Sequence, residues 1–178
     1  MWYDVVLDRS YCGGVRMTET EKRKHRVCFT GHRPEKLSRC EKDIKTDLEK
    51  EIRQAIADGL NVFITGMARG VDIWAAQIVL KLHSEGMNVK LLCACPYDGF
   101  ERGWSNDWQR QYTDILGSAD FVKYVCPRYT RSCFQIRNEW MVNHAARVIA
   151  VFNGEKSGTK NTIDYADKIA VPVVRIEG

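Results

Sequence analysis

The chain reads as a doubly wound α/β domain, a mainly parallel sheet with helices on both faces. Three observations predict this three-layer arrangement. Short apolar runs alternate with amphipathic stretches of helical length from Arg26 onward. Each apolar run stops at Gly, Pro or a hydroxyl-rich turn, and is mostly apolar rather than alternating, as expected of parallel strands covered on both faces. The 178 residues, 44% hydrophobic and 28% charged, suffice for one compact domain with a sizeable core.

The elements follow in order. Residues 1–25 differ from the rest: Gly13-Gly14 breaks the run Val5-Val6-Leu7, and Thr18 to His25 is almost wholly polar. They are expected to be a polar N-terminal extension, with 1–16 a disordered or artificial leader upstream of a domain starting near Met17. The domain proper is 26–178. The basic run Lys22-Arg23-Lys24-His25-Arg26 reads as a solvated tail or a phosphate contact. Val27-Cys28-Phe29 is the first strand. Ile44, Leu48, Ile52 and Ile56, spaced by four, put one apolar stripe on a helix from Asp43 to Asp58, with Gly59 as C-cap. Asn61 to Thr65 is the second strand, Ile73 to Leu82 a largely buried helix, and Val89 to Cys95 the third strand. Trp104, Trp108, Tyr112, Ile115 and Leu116 share a helix face. Phe121 to Val125 is a strand, and Phe134 to Ala146 a helix carrying Ile136, Trp140 and His144. Val148 to Phe152 is a strand, Thr159 to Lys168 a helix, and Val171 to Ile176 the last strand.

Composition excludes little beyond membranes. No apolar run approaches the ~20 residues of a membrane span, and no signal-peptide core precedes the domain. The net charge of +4 permits nucleic acid or phosphorylated ligands and demands neither. Seven cysteines, an odd number, argue against a closed disulfide framework, so a reduced, cytoplasmic protein is expected. Cys93 and Cys95 share a strand face and read as core; Cys126 and Cys133 lack zinc-site spacing, so no metal is expected. The Trp104, Trp108, Tyr112 stripe reads as packing before a base-stacking platform, with a dimer face as a further role.

In open parallel sheets ligands bind beyond the carboxyl ends of the strands. The unusual residues here collect at those ends. Thr30-Gly31-His32-Arg33-Pro34 follows the first strand, Gly66-Met67-Ala68-Arg69-Gly70-Val71-Asp72 the second. Gly154-Glu155-Lys156-Ser157-Gly158-Thr159 follows the fifth and opens a helix, whose free N–H groups and dipole attract anions. Neither the Walker A nor the dinucleotide glycine pattern is present. The plainer reading makes Thr159 and Asp72 helix N-caps. Arg69 between two glycines fits a phosphate fork. His32 can donate to phosphate or act as an acid, and Asp72 can hold a ribose hydroxyl. Arg137, Asn138 and Glu139 near a helix start are further candidates, so His32, Asp72 and Glu139 are the catalytic candidates should there be catalysis.

These motifs, with Arg137-Asn138-Glu139-x-Met141, resemble the YpsA-like branch of the SLOG (Smf/DprA–LOG) superfamily over about Arg26 to Glu177. The resemblance implies a Rossmann-like domain that binds a nucleotide or an NAD-derived, ADP-ribose-like ligand and self-associates. LOG proteins cleave a nucleotide N-glycosidic bond through a P-G-G-x-G-T-x-x-E motif. Gly158-Thr159 is kept here, but the catalytic Glu position is Thr162. The matching Smf/DprA loop continues to an Ala-His pair, whereas Gln77 follows Ala75-Ala76 here. The reading is therefore a sensor or regulatory module that needs no cofactor. Its ligand set is Thr30, Gly31, His32, Arg33, Gly66, Arg69, Gly70, Asp72, Arg137, Asn138, Gly154, Ser157, Gly158 and Thr159. Its partners are a nucleotide-like small molecule, a second copy of itself and a protein target. A nucleotide-processing hydrolase is the alternative, with Asp98 and Glu101 as further carboxylates. Single-stranded DNA binding ranks third, so nucleic acid is not the expected partner.

Overall fold

The computed structural model describes residues 17–178. Helix α1 (Glu19–Arg23) opens on a capping box: Thr18 accepts from the Glu21 N–H, and the Glu21 carboxylate accepts from the Thr18 N–H at 2.6 Å. Glu19 pairs with Arg26, and Arg23 Nε donates to the Ala145 carbonyl at 3.0 Å. The described end of the polar extension is thus folded and pinned to the domain, and Arg23 and Arg26 of the basic run are spent on structure. The expected leader 1–16 lies outside the described residues.

Strand β1 (Arg26–Gly31) runs into a 3-10 turn (Pro34–Lys36) and α2 (Glu41–Ala57). Then come β2 (Val62–Thr65), α3 (Val71–Ser84), β3 (Lys90–Cys95), α4 (Asn106–Ser118), β4 (Phe121–Tyr124), α5 (Cys133–Asn143), β5 (Arg147–Phe152), α6 (Gly158–Lys168) and β6 (Val173–Glu177). The α2 stripe is buried through Ile44, Leu48 and Ile52, and the chain leaves the helix by a left-handed Gly59, letting the Leu60 N–H reach back to the Ala55 carbonyl.

The six strands form one parallel sheet in the order β4-β3-β2-β1-β5-β6. The chain builds outward from β1 to β4, then returns to lay β5 on the other flank of β1. The switch point therefore lies between β1 and β5, where Gly31 registers with Val151. Alternation along the strands divides the core. Val27, Phe29, Ile149 and Val151 face α2, α3 and α4; Cys28, Val148 and Ala150 face α5 and α6. This is the expected three-layer α/β/α fold.

Two details differ from the sequence expectation. Helix α5 buries Cys133, Arg137, Met141 and Val142, and leaves Ile136 at 44% exposure. The Ile136-Trp140-His144 spacing marks its outer half, where His144 stacks on Trp140 at 4.0 Å. Trp104 precedes α4 and packs edge-on against Phe100 and a buried Tyr112, whose hydroxyl reaches Cys95 Sγ at 3.2 Å. That stripe is core packing. Among the described residues the six cysteines are free thiols, all buried except Cys40, which is exposed at the start of α2. No helix of the described chain is long and apolar enough to cross a membrane.

Candidate functional site

The β1–β5 crevice is assembled from both strand ends. Thr30 is buried in β1, and Gly31 lies so close to Val71 that a Cβ would come within 2.5 Å of it. The His32 N–H reaches the Val151 carbonyl at 3.4 Å, and its ring stacks on Phe152 with centroids 5.5 Å apart. His32 is only 2% exposed, and its Nε2 has no partner among the described residues. Burial pushes the His32 pKa down, Lys36 adds to this and Glu155 opposes it. Phe152 carried no sequence signal beyond its place at a strand end. Arg33 is exposed at the lip.

Across the crevice, Asn153 ties the β5 loop down: its amide donates to the Lys36 carbonyl at 2.8 Å, and its side-chain oxygen accepts from the Glu155 N–H at 2.9 Å. Gly154 takes the turn at φ +91°, a left-handed conformation. Ser157, not Thr159, is the N-cap of α6, accepting from the Lys160 N–H at 3.2 Å. Thr159 is buried inside the first turn, and a Cβ on Gly158 would meet nothing within 4 Å. The earlier N–H groups of this turn have no intrahelical acceptor, and they lie beside open space.

The β2 loop is built differently. Thr65 Oγ1 donates to the Asp72 carbonyl at 2.9 Å and accepts from the Met67 N–H at 3.1 Å. Gly70, at φ +89°, is the N-cap of α3 without a side-chain bond, and a Cβ there would lie 2.7 Å from Pro34 Cδ. Asp72 sits one turn position inside the helix. Its carboxylate accepts from the Ala68 N–H at 3.2 Å and faces Arg137 Nη1 at 4.0 Å. Arg137 in turn donates to the Gly66 carbonyl, and a Cβ on Gly66 would run into both the guanidinium and the carboxylate. Asp72 and Arg137 are 6% and 5% exposed. Burial pushes the Asp72 carboxyl up to about 6 against the pull of Arg137 and the Ala68 N–H; desolvation exceeds the attraction between the two charges. Arg137 Nε has no partner among the described residues. Arg69 pairs with Glu35 at 3.2 Å.

The predicted residues thus fall into three groups. Thr30, His32, Gly154, Ser157, Gly158 and Thr159 surround the crevice. Gly66, Asp72 and Arg137 form a buried polar knot one strand over. Gly31, Gly70 and the Arg69–Glu35 pair lock the first loop to the second. Packing accounts for Gly31, Gly66 and Gly70; only Gly154 and Gly158 leave room for a ligand to approach the backbone. Asn138 and Glu139 are half-buried on α5, where Glu139 accepts from Gln135 at 2.8 Å. Thr162 Oγ1 donates to the Gly158 carbonyl at 2.8 Å, so its hydroxyl is tied back into the first turn of α6. Beside the crevice an open cleft of about 700 Å³ is lined by Lys36, Phe152, Asn153 and Glu155 among others. A second concavity, of about 500 Å³, lies on the outer face of α2, away from the strand ends.

Comparison with known proteins agrees with this architecture. A family model described as the YspA SLOG family (YpsA) matches residues 27–171. Relatives called UPF0398 protein in Bacillus thuringiensis (strain Al Hakam) and Bacillus cereus (strain Q1) are each 29% identical over 150 residues, covering 80% of this chain and 82% of theirs. The fold is similar to DNA processing protein A (DprA) from Streptococcus pneumoniae, with a TM-score of 0.64 at 21% identity over 87% of this chain; the match spans 51% of that protein. DNA processing protein A from Helicobacter pylori, solved for its single-stranded DNA binding mode, gives 0.63 at 19% identity, covering 90% of this chain and 68% of that one.

Proposed function

The chain belongs to the YpsA-like SLOG family, and from that premise we propose that it is a nucleotide-binding module whose site is the β1–β5 crevice. The ligand's phosphate lies against the open first turn of α6, with Ser157 and Gly158 at its edge. His32 Nε2 donates to it from below, its ring oriented by Phe152. Arg33 adds exposed charge at the lip. The observation that carries this reading is His32. A buried ring nitrogen without a partner costs about 1–3 kcal/mol, which an anionic ligand at that point would recover. The ligand class is a nucleotide or an NAD-derived, ADP-ribose-like compound. A ligand touching both loops would favour one setting of the crevice and so inform a protein partner or a second copy of the chain. The free thiols support a reducing compartment.

The single-stranded DNA binding named for the Helicobacter pylori protein supplies the competing ligand. Calorimetric titration with AMP, ADP-ribose, NAD and a short oligothymidylate separates the two. The nucleotides are expected to bind below millimolar concentration, and His32→Ala to weaken them roughly tenfold. No nucleotide binding at millimolar concentration overturns the proposal. Binding of the oligonucleotide alone, weakening steeply with salt, assigns the site to a nucleic-acid strand instead.

A further inference from the structure

Large apolar side chains are rarely left in water as a group. Among the described residues five are exposed, and four of them, Tyr124, Tyr129, Phe134 and Ile136, belong to β4, the loop after it and the start of α5. Two of these are locked into an aromatic cluster. Tyr97, two residues beyond the end of β3, meets Tyr129 edge-on at 5.6 Å and Phe134 at 6.2 Å. It also meets Phe100 at 6.0 Å, and Phe100 packs against the buried Tyr112. The inner rings anchor the outer ones. Tyr129 is 60% exposed and Phe134 40%, so ring surface is held open on a rigid base.

The place of this cluster gives it meaning. It stands at the carboxyl edge of the sheet, the edge that carries the crevice. Phe134 is in the first turn of α5, and Gly158 opens α6. The two helices pack directly against each other on one face of the sheet. Packed helices have axes roughly 10 Å apart, so the first turn of α5, which carries Phe134, belongs to the helix next to the α6 anion site along this edge. Arg128 and Arg131 flank Tyr129 in sequence, both exposed, and add positive charge beside the rings.

We propose that Tyr97, Tyr129 and Phe134 form a stacking platform for the nucleobase of a ligand whose phosphate occupies the α6 N-terminus. This assignment rests on the nucleotide reading given above and adds to it the surface that recognises the base. The platform offers π-faces and no fixed hydrogen-bond code, so it favours a purine for its area without selecting one base strictly.

The test compares AMP with ribose 5-phosphate, which has the phosphate and sugar but no base, by calorimetry on the full chain. AMP is expected to bind roughly tenfold or more tightly than ribose 5-phosphate. The double variant Tyr129→Ala/Phe134→Ala should erase that margin and leave ribose 5-phosphate binding unchanged. The swap Tyr129→Phe/Phe134→Tyr should keep it. Equal affinities, or a margin that survives the double alanine variant, overturn the platform while leaving the phosphate site standing. Binding of neither compound overturns the phosphate site and the platform with it. Self-association abolished by the double alanine variant, with AMP affinity unchanged, assigns the rings to a contact between copies and also overturns the platform.

Discussion

Two residues decide how the β2 loop is held. Gly66 gives up its side-chain space to the Arg137 guanidinium and the Asp72 carboxylate. Gly66→Ala is therefore expected to destabilise the protein by about 3 kcal/mol, read from the urea midpoint, with no need for a ligand. Asp72 carries a pH signature. Its carboxyl is raised to about 6 in the folded chain by burial, above its ordinary value. The folded state then binds the extra proton, so the stability linked to this group is present below about pH 4 and is lost as pH rises through about 6. Measured against Asp72→Asn, which cannot titrate, the wild type should lose about 2 kcal/mol between pH 4 and pH 7. An unchanged difference across that range would remove the assignment. None of this was legible in the sequence. A glycine in a turn reads as backbone freedom or ligand approach, and only the packed structure shows which side chain takes the space. His32 was legible as a strand-end residue, but its buried, unpartnered nitrogen was not, because burial depends on Phe152, 120 positions further along the chain.

At the scale of elements, the alternation of apolar runs and helical stripes was legible nearly throughout. All six strands lie close to where apolar runs predict them; the inner strands, covered on both faces, carry no competing polar pattern, whereas the edge strands β4 and β6 keep Lys123 and Arg175. Helix α2 follows its stripe through Ile44, Leu48 and Ile52, and in its last turn buries Ala55 rather than Ile56. Helix α5 does not, because a long cation with its own partners, Arg137, turns inward where periodicity looks for an apolar residue. Helix α6 was legible at its start, though one residue pair shifted: Ser157 caps and Thr159 is buried. Ser157→Ala should cost about 1 kcal/mol in unfolding free energy, whereas Thr159→Ser should perturb packing and leave the cap intact. A cap that proves worthless by this measure would mean the first turn is held by its tertiary contacts alone. Helix α1 was missed because its five residues bury no side chain, so it has no apolar stripe to read.

For the whole molecule, the polar stretch before β1 belongs to the fold from Thr18 onward. Arg23→Ala should lower stability by about 1 kcal/mol through loss of the bond to the Ala145 carbonyl, seen as a lower melting temperature. An unchanged melting temperature would return Arg23 to the surface. The strand order has a further consequence, for the order of assembly. During synthesis β1, β2, β3 and β4 emerge first and can pair in sequence, but one flank of β1 waits for β5, which begins at Arg147. Until then β1 presents an open, apolar edge, a template for mispairing with another nascent chain. Closing it needs a pairing across more than a hundred residues, the kind of long-range contact that slows folding. The seam that holds His32 thus forms only once β5 has emerged, after four strands are already made, so a folding reporter placed there would mark closure of the sheet around β1 rather than the first collapse.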